Sequence, residues 1–217
     1  KAIKLAVERF EDKTFQPEPL NYSLADVRGE LRPLMKQNER KIDWAHDDVD
    51  SIITKINAGD SFPGVLDSLF GQEYYLYGAH EERQIDGLQY FFEQCQPGSI
   101  VGQRNGAILR AAKDGLVWIS HLKRKSPNVI PFYKNFLTAK KTNHFKLPAT
   151  RVLAGLLNDI PELPIDPLFS GSEATFKEIW YEEHNEVGYL HFNFHNGAMS
   201  TEQCRRLLKA YQLALAK

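Results

Sequence analysis

The sequence has few of the signals that usually announce a function. No apolar run reaches the roughly 18 residues a membrane-spanning helix needs, and no basic-then-apolar leader opens it, so neither bilayer nor secretion is expected. Cysteine is scarce. Cys95 and Cys204 lie in separate segments and no CxxC joins them, which excludes a disulfide framework and fits reduced thiols in a cytoplasmic setting. An excess of either charge is missing as well: 27 Lys and Arg face 28 Asp and Glu, so no global field draws nucleic acid or anionic lipid. Neither GxGxxG after a strand nor GxxxxGK[ST] occurs, and there is no internal repeat or low-complexity tract. What is there, 42% hydrophobic residues with 12% aromatics, suffices to bury a core in one large domain or two small ones.

The pattern predicts a chain of unlike pieces. Residues 2–10 suit a short helix with no start signal before it; together with Lys1 in place of Met, this reads as the tail of an earlier element of something longer. Residues 16–40, with several prolines and many charges, read as a linker or strap. Val49, Ile52, Ile53 and Ile56 fall at helical spacing, with Asp47 or Asp48 to cap the start and Gly59 for a left-handed end. A strand is expected at 73–78, an irregular insertion up to Cys95, then strands at 99–104, 107–112 and 116–122. Asn105-Gly106 and Lys113-Asp114-Gly115 join the last three as hairpin turns. So short a meander needs closure or cover, which predicts a small barrel capped by the 47–57 helix. A proline-rich linker at 126–172 carries one helix at 149–158. A strand pair at 176–181 and 187–194 then leads into a helix from Thr201, capped by Ser200 or Thr201, with Cys204, Leu207, Leu208, Tyr211 and Leu215 on one face. The fold class is α+β.

Few residues announce chemistry. None of the seven histidines has helical HxxxH spacing; His191 and His195, four apart in a strand pattern, are read as a surface or half-buried pair, and no metal site is expected. Ser120-His121 is not read as a catalytic pair, because strand neighbours face opposite ways. The HLKRK run at 121–125 is read as a solvated strand end, with phosphate binding as the alternative. The turn from Asn196 through Gly197, Ala198 and Met199 to Ser200 joins a strand to a helix N-terminus, where unpaired N–H groups favour a negative ligand atom.

Two stretches resemble known families. Residues 41–125, with IDW before a helix, the Pro63-Gly64 turn, Tyr-Leu-Tyr-Gly-Ala in a strand, a Pro97-Gly98 entry and the Asp114-Gly115 turn, resemble the C-terminal domain of formyl-tetrahydrofolate-dependent formyltransferases, an open, OB-like (oligonucleotide-binding) barrel. Residues 173–217 resemble the first hairpin and helix of a crotonase (enoyl-CoA hydratase) domain, with NGAMS at its Asn-Ala-Leu-Asn turn. Both in this order, with LRPLMKQNER and FKLPAT around the barrel, resemble the hydrogenase maturation factors of the HypX (HoxX) type.

That resemblance implies five parts: the end of a formyltransferase-like domain (1–15), a strap (16–40), the barrel (41–125), a linker (126–172) and a truncated crotonase-type strand-strand-helix unit (173–217). It also implies an activity for the parent protein. A formyl group passes from formyl-tetrahydrofolate to coenzyme A, and formyl-CoA yields carbon monoxide for the iron of a nickel-iron hydrogenase. Both catalytic constellations are expected outside this segment, which by itself would be silent and would bridge the two domains. Implied cofactors are coenzyme A and formyl-tetrahydrofolate, the latter held mainly outside the segment. Implied partners are the other parent domains and hydrogenase maturation proteins, with no membrane. Ala198 or Met199 is the candidate oxyanion N–H donor; Asn196, Gly197 and Ala198, with Lys36, Gln37 and Arg40 of the strap, are the candidate coenzyme A contacts. A tRNA-binding barrel and a purely structural scaffold are the alternatives.

Overall fold

The computed structural model describes residues 2–12, 14–16, 18–19, 21–25, 27, 29, 32–61, 63–83, 94–125, 145–168 and 174–217. The chain divides into two units, 1–34 and 35–217. In the first, helix α1 (Ala2–Glu11) buries none of its residues. Its apolar periodicity therefore forms a helix without packing it. Asp12 Oδ1 accepts from both the backbone N–H and the hydroxyl of Thr14, at 2.9 and 2.7 Å, and so ends the helix in a turn.

The second unit is built on a six-stranded antiparallel sheet. Short helix α2 (Gln37–Arg40) and helix α3 (Val49–Ala58) precede β1 (Val65–Leu69), β2 (Gln72–Glu82), β3 (Ile100–Arg104), β4 (Ala107–Ala111), β5 (Leu116–Arg124) and β6 (Leu147–Pro148). The order is β1-β2-β5-β4-β3, with β6 added beside β5. Among the described residues no ladder joins β1 to β3. Both outer strands are still covered. The Gln37 side chain donates to Gly64 O and accepts from Leu66 N along β1, while Gln103 of β3 exchanges backbone hydrogen bonds with Pro161 and Leu163. Unpaired edge groups are satisfied without closure.

The α3 reading holds in its apolar face: Val49, Ile52 and Ile56 are buried, and Asp48 caps the start by accepting from Ser51 N at 2.8 Å. Gly59, however, has φ −89°, so it ends the helix without the left-handed turn expected of it. Asn57 pairs with both the N–H and the C=O of Ala79, pinning the helix to β2. The Asn105-Gly106 hairpin is present, with φ 48° and 93°. β1 escaped the sequence reading because its turn is Phe70-Gly71, at φ 50° and 72°, and a phenylalanine is not a turn signal. β2 also runs on to Glu82, past the point where an insertion was expected. The rest of that insertion, 84–93, and linker residues 126–144 and 169–173 lie outside the described residues.

The helix expected at 149–158 is only α4 (Ala149–Val152); Gly155, at φ 84°, lies in the turns that follow. Strand β7 (Ile179–His184) starts and ends three residues later than expected, β8 (Val187–Phe192) is two residues shorter, and the pair turns through Asn185 and Glu186 at positive φ. Helix α5 (Thr201–Ala214) starts with a capping box in which Ser200 and Gln203 satisfy one another. Its buried positions are Gln203 and Ala210, with Leu207 half-buried. Of the apolar residues read as sharing one face, Cys204, Leu208, Tyr211 and Leu215 are exposed. Hydrophobic spacing misses this because the residue that anchors the helix is an amide: Gln203 Nε2 donates to the buried Glu178 carboxylate at 2.6 Å.

The sheet packs apolar residues on both faces. Ile52, Ile56, Leu76, Ile108, Ile119, Leu122 and Leu153 form one cluster, and Ala107, Leu109, Leu116, Trp118 and Phe176 the other. Under the second face lies a buried polar network. Glu82 Oε2 accepts from Trp118 Nε1 and Thr175 Oγ1, each at 2.5 Å, with Arg104 Nη1 at 3.6 Å. Arg104 also donates to Leu163 O, Thr175 Oγ1 and Phe176 O, and its guanidinium lies 4.6 Å over the Trp118 ring. Removing one partner strands the other in low dielectric. Arg104→Ala is expected to lower the unfolding free energy by about 3–5 kcal/mol, and the Arg104→Met/Glu82→Leu pair to recover most of it; urea denaturation of the three variants measures this.

Candidate functional site

A cavity of about 230 Å³ opens where the sheet meets the segments flanking the β7–β8 hairpin. The end of α3 contributes Asn57 and Asp60, β2 Gly78 and His80, and β5 Ser120 and His121. The approach to β7 adds Phe176, Lys177 and Glu178, and the chain after β8 adds Asn193, Phe194, His195 and Asn196. Residues far apart in sequence supply every wall.

At its centre two imidazoles stack. The rings of His121 and His195 lie 4.3 Å apart and 24° from parallel. Gly78 makes the close approach possible. At φ 63°, a Cβ there would meet Ser120 Oγ at 2.2 Å and His195 Nδ1 at 3.4 Å, so a side chain would be both strained and in collision. Ser120 Oγ in turn lies 3.0 Å from His121 Nδ1. The two side chains do meet, against the expectation for strand neighbours; the left-handed Gly78 opposite them lets the Ser120 hydroxyl tuck beside the ring. His195 Nε2 and Lys146 Nζ each stand 3.8 Å from Asp60 Oδ1, and the Lys146 ammonium lies 4.1 Å over the Tyr77 ring.

Electrostatics keep this cluster uncharged at its core. Burial, then the neighbouring His195 and Lys146, push His121 down from 6.5 to about 3. Burial also lowers His195; Asp60 pulls the other way and Lys146 adds to the lowering. Burial pushes the Tyr77 phenol up to about 12, and it donates to Pro63 O at 2.6 Å. Two neutral imidazoles can stack face to face where two imidazolium ions would repel. No group of three or more His, Cys, Asp or Glu among the described residues could hold a metal ion, and His191 sits apart from His195, stacked on Trp180 at 5.1 Å.

The residues singled out from the sequence fall in two places. Asn196 lines the cavity; Gly197, Ala198 and Met199 continue the same exposed turn, with Asn196 and Gly197 at φ 56° and 66°. The Ala198 N–H donates to His195 O at 3.3 Å, whereas the Met199 N–H has no acceptor among the described residues. Lys36, Gln37 and Arg40 belong to α2 and its cap, beside β1, and none of them lines the cavity. The Gln37 amide is used at both ends, but the Lys36 ammonium is exposed and Arg40 Nε and Nη1 have no partner. In HLKRK, His121 and Leu122 are buried, Arg124 binds Gln72 and Lys125 binds Glu73 at 2.8 Å, which is a paired strand end. Sequence reasoning missed His121, Asp60 and Lys146 as one site, because they lie in separate segments and carry no local pattern.

The His121 shift fixes a pH dependence. Its folded pKa lies below the unfolded value of 6.5, so between 6.5 and about 3 the unfolded chain binds a proton that the folded chain refuses. Stability is therefore expected to fall as pH drops through that window. Urea midpoints taken from about pH 7 to about pH 4 should decline less steeply for His121→Phe than for the unsubstituted chain.

Comparison with known proteins fits this architecture. Residues 34–138 match the formyl transferase C-terminal domain family. The hydrogenase maturation factor HoxX of Bradyrhizobium diazoefficiens is 37% identical over 216 residues, 100% of this chain and 32% of that protein. The crystal structure of HypX from Aquifex aeolicus in complex with tetrahydrofolic acid superposes with a TM-score of 0.73 at 34% identity, over 98% of this chain and 32% of that one. A multiply substituted variant of the same HypX gives a TM-score of 0.73 at 34% identity, over 98% and 34%. The chain spans about a third of the length of these relatives. The chain is HypX-like: over the third of their length that it covers it is similar to the HypX/HoxX hydrogenase maturation factors, and its central residues match the formyl transferase C-terminal domain.

Proposed function

We propose that this chain is the connecting segment of a HypX-type maturation protein that makes carbon monoxide for nickel-iron hydrogenase assembly. Two reactions are joined. Formyl-tetrahydrofolate and coenzyme A give tetrahydrofolate and formyl-CoA; formyl-CoA then gives carbon monoxide and free coenzyme A. Binding of tetrahydrofolic acid by the Aquifex aeolicus HypX supports the folate half of this reading. The coenzyme A half rests on the crotonase-like character of residues 173–217.

The observation that carries it is the Met199 N–H, which has no acceptor among the described residues. It sits in an exposed turn, at the start of a capped helix and beside a cavity, where charge developing on a thioester oxygen would find a fixed donor. Ala198, the other candidate, has its N–H committed to His195 O, so Met199 is the better donor. The exposed Lys36, and Arg40, whose Nε and Nη1 have no partner among the described residues, offer cationic groups beside β1. Coenzyme A is a long ligand with phosphates and thioester at opposite ends, so contacts at two separate places suit it. In HLKRK, Lys125 is paired with Glu73 and Arg124 is bound to Gln72, which speaks against a tRNA footprint.

Titration calorimetry with coenzyme A tests the strap: Lys36→Ala and Arg40→Met should each weaken binding by about three- to tenfold, the loss of one charge-assisted contact. Gln37→Ala is less informative, since its amide holds β1. An unsubstituted chain that ignores coenzyme A, or steep salt-dependent tRNA binding instead, would remove this role. In a protein of HypX length, Met199→Pro deletes the N–H. Carbon monoxide release, trapped with reduced haemoglobin, is expected to drop about 100-fold or more if that donor meets the oxyanion.

A further inference from the structure

Residues 196–199 are all exposed, and the turn's internal hydrogen bonds are two, Gly197 N to Phe194 O at 2.9 Å and Ala198 N to His195 O at 3.3 Å. With Asn196 and Gly197 both left-handed, such a turn has little to hold its shape. Its attachments to the rest of the molecule are Phe194, which is buried, the Ser200 cap of α5, and the His195 ring, whose side chain is 12% exposed. That ring has one close-packed face, the His121 stack at 4.3 Å. Its other neighbours stand farther off: the Tyr77 ring at 6.5 Å, and Asp60 Oδ1 at 3.8 Å from Nε2, beyond hydrogen-bond length.

We propose that His121 of the sheet is a positioning residue for the Asn196–Ser200 turn: by stacking on the His195 ring it fixes the His195 carbonyl, which holds the Ala198 N–H and so aims the neighbouring Met199 N–H. The formyltransferase-type sheet would thereby set the geometry of an element in the crotonase-like unit. This deepens the proposed function and rests on its reading of the Met199 N–H as a ligand donor. The positioning itself does not require ligand. Gly78 belongs to the same device, because only a residue without Cβ leaves room for Ser120 Oγ to brace His121 and for His195 to approach β2.

The stack is attractive through ring faces, so phenylalanine in place of His121 should keep it and alanine should not. Hydrogen exchange of the Ala198 amide, followed by NMR on the full chain without ligand, reads the turn directly. His121→Ala is expected to speed that exchange by about tenfold, the equivalent of losing one aromatic pair, while sheet amides are little changed. His121→Phe is expected to return it to the original rate. An unchanged Ala198 rate in His121→Ala, equal acceleration across the sheet, or no rescue by phenylalanine would each overturn the inference. Coenzyme A added to the same samples separates the two readings. Weaker binding by His121→Ala, restored in His121→Phe, supports both. Failure of the unsubstituted chain to bind coenzyme A counts against the ligand reading alone, because the exchange rates have already decided the positioning.

Discussion

The second unit depends on a guanidinium held in its interior. Arg104 lies at the end of β3, where strand geometry points it under the sheet, and burial of a cation there is tolerable only with its carboxylate and carbonyl partners in place. Those partners come from three segments: Glu82 at the end of β2, the Leu163 carbonyl of the chain covering β3, and Thr175 with the Phe176 carbonyl on the way to β7. One side chain therefore ties the sheet to the chain that follows it. Phe176, placed by this network, lies against Trp118 at 5.9 Å and His80 at 5.3 Å, which forms the floor of the cavity.

From that anchor the seam is completed by weaker contacts. Glu178, two residues on, is buried and takes Gln203 and Arg206 of α5 as partners; burial raises its pKa, and Arg206 and Gln203 oppose the rise. The hairpin and its helix are thus fixed at one end by ionic and amide groups. The far side of the cavity is closed by the neutral His121–His195 stack. An uncharged contact suits this position, since a second buried charge pair beside Lys146 and Asp60 would require further partners that the cavity wall does not supply. The exposed turn after His195 is then the least constrained part of the site, and the part with an N–H left over.

This arrangement gives a physical sense to joining a formyl transferase C-terminal domain to the element that follows it. Gly78 and His121 of the sheet, with Asp60 and Lys146 of the chain beside it, meet the His195 side chain at the cavity. Scaffolding and site geometry are in that sense the same property of one seam.

The sequence by itself determined the local pieces: the α3 face, the Asp48 and Ser200 caps, the Asn105-Gly106 hairpin, the meander and the family likeness. Each depends on residues within about one turn or one hairpin of each other, where spacing alone decides the outcome. It also singled out the 196–200 turn, because a small-residue link between strand and helix has a local signature. Tertiary structure decided the rest. It added β1, whose turn begins with Phe70; it placed Gln37 along β1 and the 161–163 segment along Gln103 of β3; and it anchored α5 through Gln203 on Glu178 rather than through its apolar stripe. The cavity itself could not be read in advance: Asp60, His121, Lys146 and His195 converge only after β2, β5 and the chain beyond β8 have packed, and no spacing in the sequence encodes a contact across 74 positions between two neutral imidazoles.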